Sequence, residues 1–181
     1  MNFSDFVLET ERLRLIALNE SYTEDIFANF NSEVTKYMFP RPAAKISETL
    51  DFVRGQADKN LRGLDIGFAV TKKSGEFLGC GGLHGVCRAV PELGIWIKKP
   101  AHGNGYGKEA MRGVTFWAAE NLLHILGIMY TVDFCNAASR RIPESMGGVI
   151  VGKADKLNLS GNTLHLVNYF IDAKVLRENI Q

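Results

Sequence analysis

The feature that most constrains this chain is a glycine-rich hinge between two segments of different period. Glu92-Leu93-Gly94-Ile95-Trp96-Ile97 alternates, with Leu93, Ile95 and Ile97 on one face and Glu92 and Trp96 on the other, so it reads as a strand. His102-Gly103-Asn104-Gly105-Tyr106-Gly107-Lys108 follows. From Tyr106 the spacing becomes that of a helix of roughly four turns, with Ala110, Val114, Trp117 and Ala118 inward. Gly127 to Val132 is then a short apolar strand. Strand, loop, helix and strand in this order imply a parallel or splayed pair of strands. Glycines at the hinge let the backbone turn tightly and approach a ligand closely. The free amides and partial positive charge of a helix start favour phosphate. Lys98, Lys99, Lys108 and Arg112 add positive charge nearby in sequence. The hinge reads as a phosphate or pyrophosphate cradle; the simpler alternative is a glycine turn with a solvated basic face.

The rest of the chain supplies a sheet around this unit. Arg12 to Ile16 reads as a first strand. Asn19 to Ser21 can cap a helix with Tyr22, Ile26, Phe27 and Phe30 on its apolar stripe. Phe39-Pro40-Arg41-Pro42 is a loop, because each proline pushes its predecessor out of helix. Ser47 can cap a second helix with Leu50, Val53, Ala57 and Leu61 on one face. Ile66, Phe68 and Val70 alternate, Lys73-Ser74-Gly75 turns, and Phe77 to Leu83 is a glycine-rich strand. Asn136 to Met146 reads as a short helix, and Val149 to Val151 and Leu164 to Ile171 as closing strands. The resulting order is β-α-α-β-β-β-α-β-α-β-β. It predicts an α/β (α+β) architecture: a mixed, mostly antiparallel central sheet with a splayed parallel pair, flanked by helices.

Composition excludes several classes. The 181 residues, 46% apolar and 23% charged, suit one globular domain, residues 1–181, with a real core. A net charge of +1 provides no global field for nucleic acid or an anionic membrane. No run of about 18 apolar residues predicts a membrane span. The N-terminus does not read as a signal peptide. Cys80, Cys87 and Cys135 form no C-x-x-C pair, so reduced thiols in the cytoplasm are expected, with no disulfide framework and no metal site.

Three phosphate patterns can be tested on the hinge. A P-loop needs glycine at His102 and Ser or Thr at Glu109, and fails on both. The dinucleotide pattern G-x-G-x-x-G needs glycine at Lys108 and also fails. Asp133 ends the next strand, but late for that motif. The pattern [QR]-x-x-G-x-[GA] fits His102 to Gly107 except at its first residue.

At this point the chain resembles the GNAT acetyltransferase superfamily, in particular the branch similar to ribosomal-protein alanine N-acetyltransferases. The resemblance rests on Leu8-Glu9-Thr10-Glu11-Arg12-Leu13-Arg14-Leu15, Glu92 to Ile97, the hinge, Asn136-Ala137-Ala138-Ser139-Arg140-Arg141 and Met146-Gly147, in family order over nearly the whole chain. It implies the acyl-CoA N-acyltransferase fold and acetyl-CoA as co-substrate. The strand ending at Ile97, with Ile95 and Trp96, would meet the pantetheine arm and the acetyl carbonyl. His102, Gly103, Asn104, Gly105, Tyr106, Gly107 and Lys108 would surround the pyrophosphate. Asn136 and Ser139 would meet the coenzyme across a V-shaped gap between the central strands. The acceptor would be a primary amine, on a protein N-terminus or a small molecule, and the protein a monomer or homodimer.

Direct acetyl transfer needs an amine that loses a proton, a donor for the oxyanion and a fate for the thiolate. Glu92 is the candidate base, through a water, or else a surface carboxylate. Asn136 is a natural N-cap and a possible coenzyme contact. Ser139 is the candidate donor to the leaving sulfur, or an ordinary first-turn serine. Arg140 and Arg141 oppose the helix dipole, which suggests that one of them, Arg141 foremost, meets an anionic part of the coenzyme. The chain departs from the family at three places. His102 replaces the usual first residue of the loop. Pro143 stands where many members carry a tyrosine acid, and an interior proline should distort the helix. Gly148 replaces an aromatic residue. His84 can line the acceptor pocket or serve the core, and Cys135 reads as a packed thiol rather than an acyl-cysteine. Two other functions compete: a non-catalytic coenzyme sensor and a nucleotide-binding oxidoreductase, the second opposed by the motif tests.

Overall fold

The computed structural model describes residues 1–178. Eight strands form one sheet of order β1-β2-β3-β4-β5-β6-β8-β7. They are β1 (Val7–Glu9), β2 (Leu13–Ala17), β3 (Asp65–Lys72), β4 (Phe77–His84), β5 (Glu92–Ile97), β6 (Gly127–Asp133), β7 (Val149–Leu157) and β8 (Thr163–Asp172). The helices are α1 (Thr23–Asn29), α2 (Ser32–Thr35), α3 (Ile46–Leu61), α4 (Tyr106–Asn121), α5 (Ala137–Glu144) and α6 (Ala173–Glu178). All neighbouring strands are antiparallel except β5 and β6. That parallel pair is joined only at Glu92↔Met129 and Leu93↔Tyr130. Beyond those two positions the strands part, and the β6-facing backbone of Gly94 to Ile97 has no ladder partner. This is the expected splayed pair.

The faces of the sheet carry unequal cores. On one face α4 packs against β1, β2 and β5, with α5 and α6 over β6 and β8. Leu13, Leu15, Ile66, Phe68, Leu93 and Ile128 meet Ala110, Met111, Val114 and Ala118 there, nearly all without exposed surface. Each such leucine- or phenylalanine-sized side chain contributes about 1.5–3 kcal/mol by leaving water. On the other face α1 packs on β4 and α3 on β3. Its cluster is small, Leu18, Ile26, Val53, Ala69, Phe77 and Cys80, edged by Tyr22, Phe30 and Trp96. The α4 face therefore holds the fold, and the α1–α3 face is free to be hollow.

Several elements differ from the sequence expectation. β1, α2 and α6 are additional, and β7 runs on to Leu157. α3 begins at Ile46 after Lys45, so Ser47 lies inside it and does not cap it. Its buried row is Thr49, Val53, Gln56 and Asn60, whereas Leu61 is 56% exposed. The reason lies in β3: Gly67 is beyond the last β2–β3 pair, Ala17↔Phe68. Asn60 Oδ1 accepts from Gly67 N at 2.7 Å and Asn60 Nδ2 donates to Gly67 O at 2.8 Å. Gly67 O also accepts from Leu18 N at 3.0 Å, but Asn60 Oδ1 is what meets Gly67 N, and a buried N–H without a partner is costly, so a polar residue occupies the inner face.

Pro143 and Gly148 prove to be one feature. α5 ends one residue after Pro143, which has no N–H to continue the ladder. The Pro143 carbonyl then accepts from Met146 N at 3.0 Å and Gly148 N at 2.9 Å. A Cβ at residue 148 would lie 2.8 Å from that carbonyl oxygen, so the turn excludes the family's aromatic residue.

Candidate active site

The hinge forms one wall of a notch where β5 and β6 part. Gly103 and Gly105 have φ of 80° and 77°, a region that side-chain-bearing residues rarely enter. Gly105 precedes α4 with no side-chain cap. The first N–H to find the helix ladder is Glu109 N, on Gly105 O at 3.0 Å, so the amides of Tyr106, Gly107 and Lys108 are free toward the notch. A Cβ on Gly107 would point between Ile97 Cγ1 (3.6 Å) and Ile142 Cδ1 (3.8 Å), both walls of the notch. The cavity measures about 350 Å³ and also touches Ile95, Trp96, Asn136, Ser139 and Arg141.

The Thr10-Glu11-Arg12 segment fixes this wall from behind. Glu109 accepts from Thr10 Oγ1 at 2.6 Å, Arg12 N at 2.8 Å and Arg12 Nε at 2.6 Å. Arg12 also donates to Asn104 O at 3.1 Å and lies over the Tyr106 ring at 4.8 Å. Desolvation pushes the Glu109 carboxyl up, but its bonds to Thr10 and Arg12 outweigh this and hold it below the usual range. It is ionised in the first turn of a helix, where negative charge is favoured.

The loop's polar side chains serve the loop itself. His102 Nε2 lies 2.7 Å from Ile97 O, tying the hinge to the end of β5. Asn104 Nδ2 donates to Ala101 O and His102 O at 3.2 and 3.1 Å. Among the four basic residues near the hinge, Lys98 pairs with Glu76 at 3.0 Å and Arg112 stacks on Phe116 at 5.4 Å. Lys108 lines the notch.

The opposite wall comes from α5. Asn136 Oδ1 caps the helix by accepting from Ser139 N at 3.2 Å, and its side also faces the notch. Ser139 Oγ lies 2.9 Å from Tyr130 Oη on β6. Burial pushes the Tyr130 hydroxyl up to about 12, against a smaller lowering by Ser139. It is therefore neutral at ordinary pH. Sequence reasoning missed Tyr130, which sits in an apolar strand and meets the notch only through Ser139. The two arginines separate. Arg140 turns to Tyr169 Oη at 3.1 Å and over the Phe134 ring at 4.6 Å. Arg141 lines the notch and has no partner among the described residues.

A second cavity of about 420 Å³ lies across β5, on the α1–α3 face. Gly82 and Gly94 form its floor, with Phe30, Phe52 and Trp96 as walls. His84 lines it, and its Nδ1 lies 3.1 Å from Asp65 Oδ2. Asp65 Oδ1 accepts from Gly85 N at 2.8 Å, and Lys59 Nζ is 3.6 Å from Oδ2. Asp65, His84 and Glu92 make one row across β3, β4 and β5. Glu92 is the outer end of that row. It is exposed, outside both cavities and without a hydrogen bond or ion pair among the described residues. The cavities share Met38, Ile95 and Trp96.

Other candidates are structural. Asp133 accepts from Cys135 N and His165 N, both at 2.8 Å, which leaves it no role at a ribose. Cys80 is buried and its thiol is pushed well up by desolvation, so it is not a nucleophile. Among the described residues no group of side chains forms a metal site, and no helix is long and apolar enough to cross a membrane.

An antiparallel sheet with one splayed parallel pair, opened beside a glycine-led helix start, defines the acyl-CoA N-acyltransferase fold. Residues 12–149 match the acetyltransferase (GNAT) domain family, and the chain belongs to it. By that family it is an acetyltransferase. No curated protein matches the sequence. Similar solved structures include a ribosomal L7/L12 α-N-protein acetyltransferase, RimL, in complex with coenzyme A (16% identity, 93% of this chain and 99% of that one, TM-score 0.81). Another is the microcin C7 self-immunity acetyltransferase MccE with acetyl-CoA and AMP (16%, 90% and 93%, TM-score 0.78). A third is a GNAT-family acetyltransferase from Bacillus anthracis (20%, 93% and 99%, TM-score 0.76). These identities establish the shared fold.

Proposed function

We propose that the protein transfers acetyl from acetyl-CoA to a primary amine by direct attack within a ternary complex. The observation that carries this reading is the shared wall of the two cavities at Met38, Ile95 and Trp96. A thioester lying in the notch and an amine in the second cavity meet there without an intermediate carrier.

In this reading the free amides of Tyr106, Gly107 and Lys108 hold the pyrophosphate. Lys108 and Arg141 supply the charge. The β6-facing edge of β5 from Gly94 to Ile97, with the Ile97 carbonyl held by His102, orients the pantetheine through its remaining groups and offers an N–H to the oxyanion. The amine nitrogen forms a bond to the carbonyl carbon as the carbon–sulfur bond breaks. Ser139 gives its proton to the leaving thiolate and is resupplied by Tyr130 behind it. Proton removal from the amine falls to the Asp65–His84–Glu92 row, with Glu92 acting through water at its outer end.

Thermal melting with CoA, acetyl-CoA, NAD and ATP tests the coenzyme assignment. A ligand at one hundred times its Kd stabilises by about 2.7 kcal/mol. For a domain of this size that is roughly 5–10 °C. The two coenzymes are expected to give this shift, and NAD and ATP much less. No shift with either coenzyme overturns the reading. Shift without thiol release on any amine would instead identify a coenzyme sensor.

A further inference from the structure

We propose that the cavity on the α1–α3 face is a catalytic half-site for a primary amine carried on a compact apolar body, and that His84, held by Asp65, takes that amine's proton. The proposal rests on the acetyl-transfer reading and adds to it the acceptor class and the base.

The orientation of His84 is the first support. Its Nδ1 faces Asp65 Oδ2 at 3.1 Å. Asp65 is buried and held by Gly85 N at 2.8 Å through its other oxygen. A carboxylate so fixed accepts the Nδ1 proton, which leaves the Nε2 lone pair as the free end of the ring. That end faces the cavity floor: the nearest atom to a Cβ built on Gly94 is His84 Nε2, at 4.0 Å. The ring also overlies Gly82, where a Cβ would come within 2.8 Å of it. A base needs hydrogen-bond reach of the amine, directly or through one water, and this placement supplies it. Glu92, the cross-strand partner of His84 on the outer side, can pass the proton to solvent.

The acceptor class follows from what the cavity lacks. Phe30, Phe52 and Trp96 offer apolar and aromatic surface. The charged side chains at its rim, Arg41 and Glu48, pair with each other at 3.3 Å. No unpaired carboxylate faces inward to hold the second ammonium of a polyamine, and no unpaired cation to hold the carboxylate of an amino acid, among the described residues. A peptide N-terminus would bring several amide groups, for which the lining offers little besides the Thr49 hydroxyl, the Gln56 amide and the paired rim charges. An arylalkylamine meets none of these conflicts, and about 420 Å³ accommodates one.

The protons balance. An ammonium has two to lose on becoming an amide. His84 takes the first, which frees the lone pair for attack. The second leaves the tetrahedral nitrogen for solvent as the expelled thiolate gains one from Ser139; the Ser139–Tyr130 pair then recovers one from solvent, so the net products are amide, free CoA thiol and one proton. The charged groups facing His84 are Asp65 on β3, Lys59 on α3 behind it, Glu92 on β5, and the Glu48–Arg41 pair at the rim.

The test measures CoA thiol release from acetyl-CoA with 2-phenylethylamine, spermidine, free lysine and a tripeptide with a free N-terminus. The expected result is a kcat/KM for 2-phenylethylamine about tenfold or more above the rest. A higher value for any of the other three overturns the acceptor class. His84→Gln is expected to lower kcat about 100-fold, within the usual range for a general base, and to remove the acid limb of the pH profile. An unchanged acid limb overturns the role of His84. Gly94→Val fills the floor and is expected to raise the amine KM at least about tenfold; an unchanged KM places the acceptor elsewhere. Stabilisation by CoA, read on every variant, reports an intact fold. Its loss in the unaltered chain would sink acetyl transfer itself, whereas CoA stabilisation with a preference for spermidine sinks only this proposal.

Discussion

The two cavities that meet at Ile95 and Trp96 are built in opposite ways. The notch beside α4 is made largely from backbone: free amides at the start of α4, left-handed Gly103 and Gly105, and the edge of β5 that has no ladder partner. The second cavity is made from side chains brought together from α1, the Met38–Ala43 loop, α3, β4 and β5. A site made of backbone recognises what every member of a family shares. A site made of side chains changes with a few substitutions while the sheet beneath stays fixed. The small hydrophobic cluster on the α1–α3 face and the large one under α4 follow the same division.

The largest effect expected is from Gly107→Phe. Its ring would occupy the space between Ile97 and Ile142, so stabilisation by CoA and turnover should both disappear, with the apo melting temperature little changed. Retained stabilisation by CoA would show that the coenzyme does not use this notch. Arg12→Ala comes next. It removes bonds to Glu109 and Asn104 and the stacking on Tyr106. Coenzyme affinity should fall about tenfold while the amine KM stays constant, a size usual for loss of a positioning shell. An equal rise in both constants would mean the two cavities are not separable.

Acid stability probes the second cavity through Asp65, an ionised carboxylate beneath it, as Glu109 is behind the notch. Desolvation raises the Asp65 carboxyl, but the Gly85 N–H, His84 and Lys59 together lower it further, and the net shift is downward. A lowered folded pKa stabilises above the unfolded value, and that contribution is lost as pH falls through the folded one. The melting temperature of the unaltered chain should exceed that of Asp65→Asn at neutral pH, and the gap should close as pH falls below the usual carboxylate range. A gap that persists there would contradict the ionised Asp65. The smallest effect expected is from Glu92→Gln, a several-fold loss of turnover with coenzyme binding intact, as for an outlet rather than the proton's first acceptor. A loss larger than that of His84→Gln would reverse the two roles.

The same contrast governs how much was legible in the sequence. The hinge is seven consecutive residues whose glycines and helix start act locally, so its pattern and meaning can be read along the chain. The splayed pair followed from strand, helix and strand order. His84 and Asp65 are 19 residues apart, and Asp65 merely begins an apolar strand. Only the β3–β4 register brings them together. Asn60 stands outside the row of Leu50, Val53, Ala57 and Leu61 read from the sequence, and its partner, Gly67, belongs to another element. Glu92 was drawn forward by its neighbours in sequence, yet it lies at the outer end of its row. Tyr130 read as core, and it is core; its hydroxyl matters only because α5 sets Ser139 above it. His102, the odd first residue of the loop, binds Ile97 O, a partner that the loop pattern does not show.

The central claim is that the thioester and the amine meet at Ile95 and Trp96 with no carrier between them. Initial rates measured over a grid of acetyl-CoA and amine concentrations test it most directly. The account predicts intersecting double-reciprocal lines and no acetylated protein after incubation with acetyl-CoA alone. Parallel lines, with an acetyl group found on a cysteine by intact-mass measurement, would contradict it.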